Sequence, residues 1–352
     1  MPETVVTIEG EKFFINGRPT YEGREFRGKS VEGLLFNSRM IQATFDDENP
    51  RTRSNWVYPD TKKWDPERNT EEFCQNMQGW KKCGVLGFTV NFQGGRPIVG
   101  FRLRHSPDEP GPNPEVYINS AFKRDGRVKE PFLKRMAKVL QQADELGMVA
   151  IVGYFYFSQD GLLGDEDAVI RATENATNWL LDTGHKNILV EINNECSVAH
   201  YAHAILQPPR VHELINLVKS KKKDGRRLMV STSGGGGWLP PENIASVIDF
   251  VLVHGNAQDP GSHKDMIETI RSMPAWKRNP SPIVFNEAGT NVECLFVCAE
   301  NFASWGYFDA GQNNYQDGFQ SPPVNWGINT ETKRRFFDAV AQITGEGGRR
   351  SQ

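Results

Sequence analysis

Short apolar runs alternate with longer segments of helical period along almost the whole chain. The runs fall at 33–44, 85–92, 148–157, 188–193, 228–232, 250–254, 282–286 and 303–308. They are nearly continuous in apolar residues, as parallel strands buried on both faces are. The clearest helical period lies at 131–147, where Phe132, Met136, Val139, Ala143 and Leu146 share one face. Pro131 suits the first turn of that helix and Gly147 its C-terminal stop. Further helical patterns cover 67–83, 165–183, 210–222, 262–273 and 330–344. Eight strands alternating with helices, with no linker, predict an α/β fold: a (β/α)8 TIM barrel formed as one domain over 1–352. An open doubly wound sheet is the competing arrangement, but no dinucleotide fingerprint follows the first strand.

Two segments stand outside the alternation. Residues 5–21, with Asn16-Gly17 as a turn signal, read as a short β-hairpin closing one end of the barrel. Residues 93–128 form a long loop rich in Pro and Gly after the second strand. Such loops inside a compact domain are usually functional or mobile, and this one is expected at the C-terminal face, where barrel enzymes place their sites.

Composition narrows the partners. A formal charge of −3 over 352 residues gives no electrostatic reason to expect nucleic acid or an anionic membrane. The basic run 219–227 is interrupted by Ser220, Asp224 and Gly225 and reads as a solvated helix end. No apolar stretch reaches the roughly 18 residues of a membrane span. The N-terminus lacks the pattern of a signal peptide, so the protein is either cytoplasmic or exported with its signal removed. Five cysteines (Cys74, Cys83, Cys196, Cys294, Cys298) are too few and odd for a disulfide framework, and no second pair joins Cys294 and Cys298 in a zinc quartet. His200 and His203 invite a metal, but the first strand, Leu35-Phe36-Asn37-Ser38-Arg39, lacks the His-x-His of metal-dependent barrel hydrolases. No metal or cofactor is expected, and the oligomeric state is left open. The sequon Asn175-Ala176-Thr177 falls in a helical pattern and carries little weight.

In a barrel, the informative residues are polar ones at the C-terminal ends of strands. Strand four ends Glu191-Ile192-Asn193-Asn194-Glu195 and strand seven ends Val284-Phe285-Asn286-Glu287. These strands face each other across the barrel mouth, so two carboxylates can converge on one cleft. Glycoside hydrolysis needs such a pair: an acid protonates the departing oxygen while a carboxylate attacks the anomeric carbon or activates water. Either glutamate alone reads more readily as a solvent-facing residue after a strand, and the pair, each preceded by Asn, reverses that preference.

The Asn194-Glu195 pair and Glu287 resemble the site of clan GH-A glycoside hydrolases, particularly family 5. Also similar are Phe13-Phe14-Ile15-Asn16-Gly17-Arg18-Pro19, the second strand Gly84-Val85-Leu86-Gly87-Phe88-Thr89-Val90-Asn91, Val253-His254 and Ser304-Trp305-Gly306. The resemblance spans about 12–345 through short motifs. It implies Glu195 as acid/base, Glu287 as nucleophile of a retaining double displacement and Asn194 as a hydrogen-bond partner of the sugar 2-hydroxyl. It further implies Trp305 as the platform under the sugar. His254 either orients Glu287, touches substrate, or is a satisfied core histidine. The sequence departs from the family at Asn91, where an arginine supporting the nucleophile is usual. Arg39 on the first strand is the candidate replacement, with a surface or core-edge arginine as the alternative.

Trp238, after Gly234-Gly235-Gly236-Gly237, and Trp56, Trp64 and Trp326 are candidates for stacking on sugar faces, each with plain packing as the alternative. Trp80 and Trp179 fall on helices and read as packing. Arg96, Arg102 and Arg104 form a cluster able to meet anionic sugars. Together these readings predict a retaining glycosidase acting on a β-linked oligo- or polysaccharide. A non-catalytic carbohydrate-binding barrel and a transglycosylase are the rivals.

Overall fold

A computed structural model of the chain describes residues 3–95, 97 and 117–346. Most of the long loop expected at 93–128, with Arg96, Arg102 and Arg104, lies outside the described residues. The barrel strands are β1 (Asn37–Arg39), β2 (Gly87–Asn91), β3 (Val149–Phe155), β4 (Ile188–Asn193), β5 (Met229–Ser231), β6 (Val251–His254), β7 (Ile283–Glu287) and β8 (Gly306–Tyr307). Parallel pairing runs from β8 through β1, β2, β3 and β4 to β5, and β6 pairs with β7. Two joints complete the ring. Ser304 N donates to Ile283 O and Phe285 N to Ser304 O, both at 2.9 Å, joining β7 to β8. Asp249 N donates to Val230 O at 3.0 Å, and the Asp249 carboxylate accepts from Val230 N at 2.9 Å, joining β5 to β6. The fold is a (β/α)8 TIM barrel.

The helices follow their predicted periods closely, from Pro66–Lys82 to Glu331–Thr344. Gly147 ends the helix Glu130–Leu146 with φ 65°, a left-handed conformation glycine adopts at no steric cost. Three helices escaped the periodic reading, two of them the short Glu242–Ala245 and Pro274–Arg278. The third, Val292–Glu300 (VECLFVCAE), is apolar apart from Glu293 and Glu300, and it carries Cys294 and Cys298. The first strand is also shorter than the apolar run at 33–44. After Arg39 the chain turns into a 3-10 segment, Ile41–Thr44. Asn69 Nδ2 and Thr70 Oγ1 of the first helix take the carbonyls of Gln42 and Ala43, withdrawing them from any ladder. Among the described residues, no helix is long and apolar enough to cross a membrane.

Side chains fill the barrel in layers that follow from strand alternation. The N-terminal end is an apolar floor of Leu35, Val149, Ile151, Leu189, Phe250, Leu252 and Val284. Phe13, from the antiparallel hairpin of Val6–Glu9 and Lys12–Ile15, packs into this cluster and is fully buried. Two residues further along the strands come buried polar groups, among them Asn37, Glu191 and Asn286. Above them, at the C-terminal ends, sit Arg39, Asn91, His254 and Glu287.

Candidate active site

Beyond β4 the chain turns so sharply that Glu195 has φ 52°. For a residue with a Cβ that conformation costs about 1–2 kcal/mol, so the surroundings must impose it. Glu195 N donates to Ser233 Oγ at 3.0 Å, and Cys196 N to Ser233 O at 2.8 Å. Asn194 N donates to Phe155 O at 3.0 Å, and the Tyr201 hydroxyl donates to Asn194 O. Opposite, the ladder between β6 and β7 slips by one residue after Val253, which sets His254 beside Glu287 rather than Asn286.

These backbones bring three side chains together. One carboxylate oxygen of Glu195, one of Glu287 and a ring nitrogen of His254 lie within 4.8 Å of one another. His254 Nδ1 is 3.0 Å from Glu195 Oε1 and 3.6 Å from Glu287 Oε2. Arg39 Nε lies 2.6 Å from Glu287 Oε2, with both side chains buried. The Nε–H does not point along that line, so the contact is an ion pair rather than an aligned hydrogen bond. Arg39 Nη2 donates to Asn194 Oδ1 at 2.8 Å, and Asn256 Nδ2 donates to Glu287 Oε1. The other oxygen pair of interest is deeper. Glu191, wholly buried, accepts from Ser233 Oγ and from Asn286 Nδ2 at 3.3 Å, and its Oε1 is 4.0 Å from His254 Nε2.

Burial and charge compete at each group. Burial disfavours the Arg39 charge, but Glu287, Glu191 and Glu195 outweigh it and raise its pKa. Burial opposes the imidazolium of His254, yet Glu287 and Glu195 raise its pKa above the ordinary histidine value. Burial pushes Glu195 up, while its hydrogen bond and attraction to His254, then Arg39, bring it net below the usual carboxylate range. Glu191 is raised, burial outweighing Arg39, His254 and Ser233. An acid awaiting substrate ordinarily has a raised pKa. At Glu195 the contact with His254 opposes that shift, while the same contact raises His254.

The remaining predicted residues are distributed differently. Asn91 is buried, with neither amide atom hydrogen-bonded. It fits only because residue 153 is glycine: a Cβ there would lie 2.3 Å from Asn91 Oδ1. Trp238 is half-buried over Gly234, where a Cβ would meet its ring at 2.1 Å. Trp305 does not fit the platform expected of it. Its indole is fully buried with its centroid 5.8 Å from Phe336 of the C-terminal helix, outside the barrel wall. Strand parity explains the correction. Gly306 is the inward residue, crowded by Asn37 Oδ1, and Tyr307, on the same side as Trp305, stacks outward on Phe336. The inward parity next belongs to Phe308, half-buried at the end of β8. Trp56 and Trp326 are buried and Trp64 packs against Phe45, their indole N–H groups bonded to Asp47, Asn69 and Asp46. They take the packing alternative.

Sequence reading passed over Glu191, Ser233 and Asn256. Glu191 read as part of an apolar strand; its inward parity with Asn193 and Glu195 was the available signal. Among the described residues, the group best spaced to hold a metal is Glu195, His254 and Glu287 itself, and Arg39 already supplies a positive charge there.

No family model matches the chain, and no curated protein matches it by sequence. Solved structures do. A candidate glycoside hydrolase from Bacteroides vulgatus ATCC 8482 superposes with TM-score 0.61 at 12% identity, matching 95% of this chain and 60% of its own length. A glycoside hydrolase family 5 protein from the same organism has TM-score 0.55 at 11% identity, over 93% of this chain and 68% of that one. The endo-1,4-β-mannanase of Rhizomucor miehei has TM-score 0.55 at 12% identity, over 98% of this chain and 100% of its own. The chain has the barrel fold of family 5 glycoside hydrolases, at a sequence distance of 11–12% identity from these three.

Proposed function

We propose that this chain is a retaining glycoside hydrolase that cleaves a β-linked oligo- or polysaccharide by double displacement. The observation that carries the reading is the carboxyl pair: Glu195 from β4 and Glu287 from β7, with oxygens within 4.8 Å across one cleft. Retaining enzymes hold their carboxyl groups about 5–5.5 Å apart, whereas inverting enzymes leave roughly 6.5–9.5 Å for a water. Glu287, paired with Arg39 and bonded by Asn256, attacks the anomeric carbon as Glu195 delivers a proton to the departing oxygen. Water then attacks the glycosyl–Glu287 ester while Glu195 takes its proton. The β-linkage is supported by the Rhizomucor neighbour, an endo-1,4-β-mannanase.

A non-catalytic carbohydrate-binding barrel would gain nothing from a left-handed glutamate or a buried Arg39–Glu287 pair, both of which burden stability. Transglycosylation uses the same residues and differs in the acceptor. The test is digestion of a panel of β-linked polysaccharides with detection of new reducing ends. The wild type should release them from at least one polymer, and Glu287→Gln should lose about 10⁴-fold or more of that rate. Retention of activity by Glu287→Gln would remove it from the mechanism.

A further inference from the structure

We propose that Glu191 is a positioning residue that keeps the His254 imidazole charged, so that the Glu195–His254 pair stores the proton destined for the departing sugar oxygen. The inference deepens the glycosidase reading above and rests on it for its catalytic consequence.

The His254 ring is fully buried on β6, and carboxylates face it from two strands. β4 presents Glu195 Oε1 to Nδ1 at 3.0 Å and, from below, Glu191 Oε1 to Nε2 at 4.0 Å. β7 presents Glu287 Oε2 at 3.6 Å, itself paired with Arg39 from β1. With all three carboxylates ionised, one guanidinium and a neutral imidazole would leave two negative charges uncompensated among buried side chains. A proton on His254 relieves that imbalance.

Glu191 acts here as an acceptor. Ser233 Oγ already receives the Glu195 N–H, so its own hydrogen goes to Glu191 Oε1, and Asn286 Nδ2 donates to Glu191 Oε2. Two donors on two oxygens offset part of the burial that raises the Glu191 pKa, and a charged His254 adds to them. With no exposed surface, Glu191 meets no substrate and works only through His254. In the first step the stored proton passes through Glu195 to the departing oxygen. In the second, the proton taken from water by Glu195 returns to the pair, so the cycle closes.

The test is a pH titration of the full chain labelled with ¹³C,¹⁵N-histidine, with the His254 signal identified by its loss in His254→Asn. In the wild type, His254 should titrate above the ordinary value of about 6.5. Glu191→Gln keeps size and hydrogen bonding but removes the charge. It should weaken proton binding at His254 by about tenfold or more. The basic limb of kcat/KM on an unactivated glycan should move down in pH by the same amount. Turnover of an activated aryl glycoside, which needs little protonation, should hold its basic limb. Glu191→Asp, which restores the charge, should restore both. A wild-type His254 that titrates at or below the ordinary value would overturn the proposal even if Glu191→Gln failed to fold. So would an unmoved signal in a folded Glu191→Gln. Absence of glycan cleavage by the wild type would sink the glycosidase reading but leave the titration to judge the Glu191–His254 pair.

Discussion

The two ends of the barrel are made by the same strands and obey opposite rules. At the N-terminal end, Leu35, Leu189, Leu252 and Val284 meet the plug residue Phe13, and apolar groups alone fill the space. A few residues along, the strands carry Arg39, Glu191, His254 and Glu287, nearly all without exposed surface, in a network of paired charges. The floor gains free energy from burial, whereas the mouth holds desolvated charges and a left-handed Glu195 that only its neighbours' hydrogen bonds sustain. Stability and chemistry are thus segregated along the strand direction, two to four residues apart.

The contrast is sharpest in mutants that disturb one end. Phe13→Ala removes a fully buried ring from the floor and should cost about 3–5 kcal/mol in denaturant unfolding. The pH profile of whatever folded protein remains should be unchanged. Glu287→Gln, by contrast, should abolish turnover with an unfolding free energy equal to the wild type or above it, since strained and charged sites burden the fold. Equal destabilisation by both substitutions would break the distinction between the two ends.

A smaller effect concerns the loops at the mouth. Asp160, in the 3-10 turn Asp160–Leu162 after β3, is buried, and its Oδ2 accepts from Ala202 N at 2.7 Å and His203 N at 3.3 Å. Burial pushes it up to about 6, against those N–H groups and His203. The folded state therefore binds this proton more tightly than the unfolded chain. The stability it contributes is fully present below about pH 4 and lost as pH rises through about 6. Asp160→Asn still accepts both N–H groups and has no charge to desolvate. It should gain on the wild type by up to ~3 kcal/mol between pH 4 and pH 7.5 in denaturant titrations. Parallel pH dependences in the two proteins would contradict the assignment.

Much of this architecture was legible in the sequence because it rests on periodicity. The strand and helix runs predict the ring, and Glu195, Glu287 and Arg39 announce themselves as polar residues at strand ends. What stayed hidden depends on facing and on loops. Trp305 carries a family-like motif, yet its face is decided by Gly306 beside it, whose inward position leaves no room for a side chain. Asn256 follows β6 by two residues, and only the turn there brings its amide to Glu287. Val292–Glu300 has only Glu293 and Glu300 to mark a polar side over nine residues, too little periodicity to stand out as a helix.

The central claim is the division of labour between Glu195 and Glu287. The measurement that tests it most directly is the anomeric configuration of the azide product from each alanine variant on an activated aryl β-glycoside. Glu195→Ala should still form the glycosyl-enzyme, since a good leaving group needs little protonation, and should then accumulate it for want of a base. Azide requires no base and should restore turnover there, giving the β-glycosyl azide. In Glu287→Ala, azide should enter the vacated nucleophile position and give the α-glycosyl azide. Swapped anomers from the two variants would reverse the assignment, and a Glu195→Ala enzyme with full activity on natural glycans would contradict its role as the acid.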